Sequence, residues 1–176
     1  PDGRRMAFVA DAEGDAQLWL RSLDSSTAQL LPDTAGASYP FWSPDGRHLG
    51  FCADRKLKRV GIDGEGLQLL CAAASLRGAA WGAKDAIVFA PSADGPIMMV
   101  SATGGEPKPV TTLDKAAGET GHRLPSFLPD GRHFLYAALP EGPDGNGTKV
   151  GSIDGKPGPT VLSAKSVAIY AHPGYL

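Results

Sequence analysis

The residues of this 176-residue chain that could carry chemistry are few. They are four histidines (His48, His122, His133 and His172), two cysteines (Cys52 and Cys71) and the aspartates Asp2, Asp45 and Asp130, each set in a Pro-Asp-Gly-Arg tetrapeptide. The histidines are not paired at metal-ligand spacing, and three lie beside or within turns, where a solvated or backbone-bonded imidazole is the ordinary case. A Gly-x-Ser-x-Gly nucleophile elbow is absent; in Gly151-Ser152-Ile153-Asp154-Gly155 the serine stands one place early. Asp144-Gly145-Asn146-Gly147-Thr148 opens like a calcium loop, but Lys149 stands where the sixth-position glycine belongs and Gly155 where the twelfth-position glutamate belongs. It reads instead as a hairpin loop. Asn146-Gly147-Thr148 is also a glycosylation sequon, relevant only on a secretory route that modifies it. These residues yield no catalytic constellation, metal site or cofactor motif.

What positions them is a repeat. Pro1-Asp2-Gly3-Arg4 returns as Pro44-Asp45-Gly46-Arg47 and Pro129-Asp130-Gly131-Arg132, with a degenerate copy, Ala83-Lys84-Asp85, midway between the last two. The period is about 40 to 46 residues, the range of propeller blades. In each tetrapeptide proline fixes φ, aspartate bonds the local backbone and glycine supplies a positive φ, so Asp2, Gly3, Asp45, Gly46, Asp130 and Gly131 are read as turn formers rather than catalysts. After each turn comes a strand whose large residues recur in register: Met6 and Phe8, Leu49 and Phe51, Ile87 and Phe89, Phe134 and Tyr136. The intervening Ala7, Gly50, Val88 and Leu135 are also apolar, so both faces must be covered. An aromatic residue (Trp42, Trp81 or Phe127) precedes each turn and suits packing between adjacent sheets.

Each full unit reads as four strands. Strand a is expected near 37–43, 77–82 and 122–128, strand b near 4–10, 47–53, 86–90 and 132–138. Strand c falls near 16–23, 57–62, 96–102 and 148–153, and strand d near 27–31, 67–71, 108–112 and 159–163. No segment shows a convincing 3.6-residue period. The expected fold is an all-β propeller of four-stranded antiparallel blades. About four blades are present, with units near 1–36, 37–76, 77–121 and 122–165 and the start of a next blade at 166–176, as part of a ring of six or more. Alternatively, Val167 to Tyr170 supplies the missing inner strand of the first blade and closes a four-bladed ring. Cys52 and Cys71 fall on the second and fourth strands of one unit, about 9.6 Å apart and beyond the roughly 7 Å a disulfide tolerates, so two separate thiols are expected.

The bulk properties agree with a globular domain. Hydrophobic residues make up 42% and charged residues 20%, and 23 glycines and 15 prolines lie between regular apolar runs. The net charge is −2 with the signs interspersed and no basic block, which gives nucleic acid no support as a partner. The longest apolar stretch, Leu67 to Leu76, is about half a membrane span, so direct membrane insertion of this segment is not expected.

The run Tyr39-Pro40-Phe41-Trp42-Ser43-Pro44-Asp45-Gly46-Arg47-His48-Leu49-Gly50-Phe51 resembles the WD40-like PD40 repeats of TolB-type propellers. The run from His122 to Tyr136, with Val150–Gly155 and Tyr170–Leu176, resembles the extracytoplasmic propellers of bacterial, notably acidobacterial, membrane serine/threonine kinases. The third copy departs from the pattern by lacking Pro-Asp-Gly. The resemblance implies a non-catalytic ligand- or protein-interaction module. It would be the sensor or scaffold part of such a kinase, on the extracytoplasmic side, with a protein or peptide partner and no cofactor. A TolB-like periplasmic scaffold and the gating propeller of a prolyl-oligopeptidase-type hydrolase are the alternatives. The usual functional surface of a propeller is the mouth of its channel, where inner strands begin. Here that places Ser38, Tyr39, Arg77, His122 and Arg123, with the last two able to meet an anion or a peptide carboxylate.

Overall fold

A computed structural model describes residues 2–12, 14–140, 147–163 and 168–170. Among them the chain forms fifteen strands in four sheets and no helix. The first sheet holds β1 (Arg5–Ala12), β2 (Asp15–Ser22) and β3 (Ala28–Leu30). The second holds β4 (Ser38–Trp42), β5 (His48–Ala53), β6 (Lys56–Gly61) and β7 (Gln68–Ala72). The third holds β8 (Ala79–Trp81), β9 (Ala86–Phe89), β10 (Met98–Ser101) and β11 (Lys108–Pro109). The fourth holds β12 (Glu119–Phe127), β13 (His133–Pro140), β14 (Gly147–Ser152) and β15 (Thr160–Ser163). Within each sheet every strand pairing is antiparallel between chain neighbours, so each sheet is a meander. These are four propeller blades, and the aromatic positions Trp42, Trp81 and Phe127 each end an inner strand.

The sheets stack face to face in chain order because their central strands are apolar on both sides. Leu49 and Phe51 pack with Leu18, Leu31, Ala7 and Val9 of the first sheet. Cys52, Leu57 and Cys71 pack with Ile87, Phe89 and Val100 of the third. Val88, Ala90 and Ile97 pack with Phe134, Tyr136 and Ala138 of the fourth. Phe51, Phe89 and Phe134 are wholly buried, each stabilising the stack by roughly 1.5–3 kcal/mol. Gly50 is required for its lack of a side chain: a Cβ there would meet the Phe41 ring at 2.1 Å.

The turns carry out the local chemistry of their residues. Asp45 Oδ1 accepts the Ser43 hydroxyl at 2.6 Å and the Arg47 amide at 3.0 Å, while Gly46 sits at φ 68°. Asp130 Oδ1 accepts the Arg132 and His133 amides, each at 2.9 Å, and Oδ2 meets His133 Nδ1 at 2.5 Å. The His133 bond leads the causes that hold the Asp130 carboxyl down at about 2. In the degenerate copy Lys84 and Asp85 both take left-handed φ, 58° and 57°. That is the geometry of a two-residue hairpin turn, reached without glycine at a cost in backbone strain.

Among the described residues the first sheet has three strands, with no inner strand on β1. Ala168–Tyr170 form no strand, so the ring is not closed by those residues; Val167 lies outside the described residues. Cys52 and Cys71 are free, buried thiols, both lying opposite Leu57 from the two sides of β6.

Candidate functional site

The inner strands β4, β8 and β12 run side by side and wall a central concavity of about 540 Å³. Its wall includes Tyr39, Phe41, Trp81, Leu124 and Phe127, and Ile169 also lines it. A positive-φ residue stands three places before each terminal aromatic: Tyr39 at φ 52° in β4, Gly78 at 106° just ahead of β8 and Leu124 at 52° in β12. The β4–β5 and β12–β13 ladders shift register around this position, between Ser38 and Phe41 and between Arg123 and Ser126. A bulge of this kind re-aims side chains. Tyr39 and Leu124 are 43% and 40% exposed at the concavity, and Ile169 is 65% exposed. Gly78 has no room for a side chain, since a Cβ would meet Leu124 Cα at 2.8 Å. That close approach lets the Leu124 amide donate to the Arg77 carbonyl at 2.9 Å, joining the third and fourth sheets.

The five residues expected at the channel mouth separate. Tyr39 lines the concavity. The Ser38 hydroxyl donates to the Cys52 carbonyl at 3.2 Å, and Arg123 Nε donates to the Ala93 carbonyl at 3.0 Å, so both brace neighbouring backbone. Arg77 is half-buried, and its Nε is buried without a hydrogen bond. His122 is not at the mouth at all. It is 1% exposed, inside the seam between the third and fourth sheets, and offers no ring edge to solvent or to an anion.

The seam is a buried polar relay. The Ile97 amide donates to Thr111 Oγ1 at 2.8 Å, and Thr111 Oγ1 lies 2.8 Å from His122 Nδ1. His122 Nε2 lies 3.0 Å from Glu119 Oε2, which also accepts the Asp114 amide at 2.7 Å. The Lys149 ammonium bonds Glu119 Oε1. The ionised Glu119 carboxylate can only accept, so the neutral imidazole carries its proton on Nε2 and donates to Glu119, and Nδ1 accepts from the Thr111 hydroxyl. Burial pushes the His122 pKa down, against the opposing pull of Glu119. Burial acts to raise the Glu119 carboxyl, but Lys149, the Asp114 amide and His122 outweigh it and the pKa falls. The Tyr136 ring packs against His122 with centroids 4.6 Å apart and planes tilted by 55°, its hydroxyl pushed up to about 12 by burial and by Glu119.

The relay has the order hydroxyl, imidazole, carboxylate, but Thr111 Oγ1 is already engaged by Ile97, and His122 and Glu119 are sealed from solvent. Its chemical capacity is to hold charge and protons in place at the seam, not to attack a substrate. Sequence reasoning missed Thr111, Glu119 and Lys149. It also missed the apolar wall formed by Phe41, Trp81 and Phe127 with the bulge residues.

No protein-family model matches the sequence. A Bacillus subtilis (strain 168) protein described as an uncharacterized peptidase, YuxL, is 31% identical over 148 residues, covering 78% of this chain and 20% of that protein. Among solved structures, a TolB-like protein of Agrobacterium tumefaciens superposes with a TM-score of 0.76 at 19% identity, over 92% of this chain and 62% of that one. TolB of Acinetobacter baumannii gives 0.74 at 16% identity, over 93% and 42%. This chain therefore spans about a fifth of its curated relative and less than two thirds of either structure. The arrangement of blades that builds the concavity is thus a β-propeller, the fold of these two structures.

Proposed function

We propose that the chain is a non-catalytic protein- or peptide-binding propeller module whose contact surface is the concavity walled by β4, β8 and β12. One observation carries this reading: bulges on β4 and β12 hold exposed apolar side chains, Tyr39 and Leu124, over a wall of aromatic rings. Of the cations expected there, Arg123 donates through Nε to the Ala93 carbonyl, Arg77 Nε is buried, and His122 is 1% exposed. An extended apolar segment, uncharged where it meets the wall, is the ligand this surface suits. The test is selection of immobilised peptides by the purified chain and by its Leu124→Asp variant. The reading expects apolar extended peptides to be selected and their binding to weaken at least tenfold in the variant. No selection, or binding indifferent to Leu124, overturns it.

For the longer polypeptide, the run from His122 to Tyr136 supports the sensor or scaffold part of a bacterial membrane-associated serine/threonine kinase, on its extracytoplasmic side, in a ring of six or more blades. The relative described as a peptidase supports a second reading, the gating propeller of a prolyl-oligopeptidase-type hydrolase. The TolB-like fold is equally compatible with a periplasmic scaffold. The flanking gene sequence separates the three. A kinase catalytic loop and one membrane helix upstream support the first, a Gly-x-Ser-x-Gly elbow downstream the second, and a signal peptide with no other domain the third.

A further inference from the structure

The third and fourth sheets are joined along the first half of β12. The Gly95 amide donates to the Thr120 carbonyl at 3.1 Å, and the Gly95 carbonyl accepts the His122 amide at 2.9 Å. Two residues on, the Leu124 amide meets the Arg77 carbonyl. The backbones are in close contact here: a Cβ on Gly121 would meet the Ala93 carbonyl oxygen at 2.6 Å. Glu119 and His122 are buried inside this join, and no other carboxylate or imidazole among the described residues is buried. Residues 111–118 reach both of them, Thr111 at His122 Nδ1 and the Asp114 amide at Glu119 Oε2. In that strap Thr112, Asp114, Lys115, Ala116 and Ala117 are exposed. A short segment therefore separates the relay from water, and Leu124, on the concavity wall, stands two residues from the imidazole.

We infer that the seam is a proton-operated latch on the concavity: a proton taken up by His122 releases the first half of β12 from the third sheet, and Leu124 leaves the wall with it. The latch stands on the geometry of the seam, while its effect on a ligand rests on the concavity being the contact surface. With the seam closed, Glu119 and Lys149 balance each other and the imidazole is neutral. A proton on Nδ1 puts a net positive charge into the join. It also turns a second donor on Thr111 Oγ1, whose own proton then has no acceptor. The groups against the ring are Glu119 on β12, Tyr136 on β13, Lys149 on β14 and Thr111 of the strap. Asp114 and Lys115 of the strap and Asp94 beside Gly121 are exposed, and Arg123 Nε is held by the Ala93 carbonyl. Of the groups touching the ring Glu119 alone favours imidazolium, and Lys149 and the Asp114 amide already engage it. Opening brings the imidazole to water, where it takes a proton at its ordinary value of about 6.5. The open population therefore rises as pH falls below that value, by up to about tenfold per unit, until the closed seam takes up the proton itself. A ligand that needs Leu124 on the wall opposes the proton by the same linkage.

The test is hydrogen exchange of the intact chain at pH 7.5 and 5.5, converted to protection factors so that the pH dependence of free-amide exchange cancels. The amides read are those of Gly95, His122 and Leu124. In the wild type their protection is expected to fall on the order of tenfold at pH 5.5, while amides of the β5–β6 ladder lose less. In His122→Gln the fall disappears. In Lys149→Met it is smaller than in the wild type, because imidazolium then becomes the counter-charge of Glu119 and forms with the seam closed. That comparison keeps the ring in place and decides the matter even if His122→Gln does not fold. Protection indifferent to pH, an equal loss in the β5–β6 ladder, or an undiminished fall in Lys149→Met overturns the latch. The peptide most strongly selected by the chain, added at about a hundred times its Kd, is expected to raise protection of the three amides on the order of a hundredfold. An acid-induced fall that this peptide does not counter overturns the coupling to the concavity. Where no peptide is selected, the contact surface proposed above fails, and exchange at the two pH values still judges the latch.

Discussion

Lowering the pH from 7.5 to 5 should weaken this protein through one imidazole. His122 is buried in its neutral form: Nδ1 accepts from Thr111, and Nε2 donates to Glu119. A second proton on Nδ1 would leave the Thr111 hydroxyl without an acceptor and place a further positive charge beside Lys149 and Glu119. Four elements pack groups against the ring: Glu119 from β12, Tyr136 from β13, Lys149 from β14 and Thr111 just beyond β11. Only Glu119 favours the charged ring, and burial outweighs it. The folded pKa therefore lies below the unfolded value of about 6.5, and the native state binds fewer protons than the unfolded chain in that window. Stability is full above the unfolded pKa. It declines as pH falls below that value, by at most about 1.4 kcal/mol per pH unit, until the folded pKa is reached.

The measurement is urea unfolding of the wild type and of His122→Gln at pH 7.5, 6.5, 5.5 and 5.0. The variant loses the ring and leaves a relay member poorly paired, a cost of about 1–3 kcal/mol at pH 7.5. It has no imidazole to titrate at this site, whereas His48, His133, His172 and the carboxylates are shared and cancel in the difference. The gap between the two proteins should narrow as the pH falls. Parallel stability profiles from pH 7.5 to 5 would refute the reasoning, because they would mean His122 takes up its proton equally in the folded and unfolded states.

Three further outcomes follow from the same structure. Glu119→Gln should cost about 2 kcal/mol by urea unfolding, less than a fully buried pair because Lys149 is 23% exposed, and a double-mutant cycle with Lys149→Met should show coupling; simple additivity would remove the pair from the seam. Gly50→Ala should cost about 1–3 kcal/mol, because its Cβ would occupy the space of the Phe41 ring; an unchanged unfolding midpoint would contradict that packing. Burial raises both thiols, that of Cys71 to about 11, so at pH 8 both should react with a disulfide reagent more slowly in the native protein than in the urea-unfolded chain, Cys71 on the order of a hundredfold; rapid native labelling would show that β5 and β7 open readily.

The blades were legible in the sequence because a turn of fixed chemistry recurs at a fixed distance from a strand of fixed parity. Once Asp45 and Gly46 mark a hairpin, Leu49 and Phe51 must share one face and Gly50 and Cys52 the other. The degenerate copy kept that parity even though Lys84 and Asp85 turn without glycine, so Ile87 and Phe89 could still be placed. The site was less legible, because bulges break parity. Glu119 and His122 are three apart, which in a regular strand puts them on opposite faces. The shift in the ladder between Glu119 and Gly121 brings both into the seam. Tyr39 and Leu124 are re-aimed in the same way by left-handed backbone that neither residue type advertises. Thr111 and Lys149 reach the relay from separate strands or loops, and no local pattern links them.

The parity that survives also gives the stack a direction. At each of the three interfaces the strand after the turn sends its larger residues toward the preceding sheet, whose own strand presents its smaller ones. Phe51 and Leu49 meet Val9 and Ala7, Phe89 and Ile87 meet Cys52, and Phe134 and Tyr136 meet Val88 and Ala90. Two large-residue faces could not interdigitate at native density, and two small-residue faces would leave a void, so sheets of this repeat can add in only one sense. Met6 and Phe8 make the uncovered face of the first blade a large-residue face. A sheet stacked on that face must present its small-residue side, and that requirement excludes a symmetric pairing of two first blades face to face.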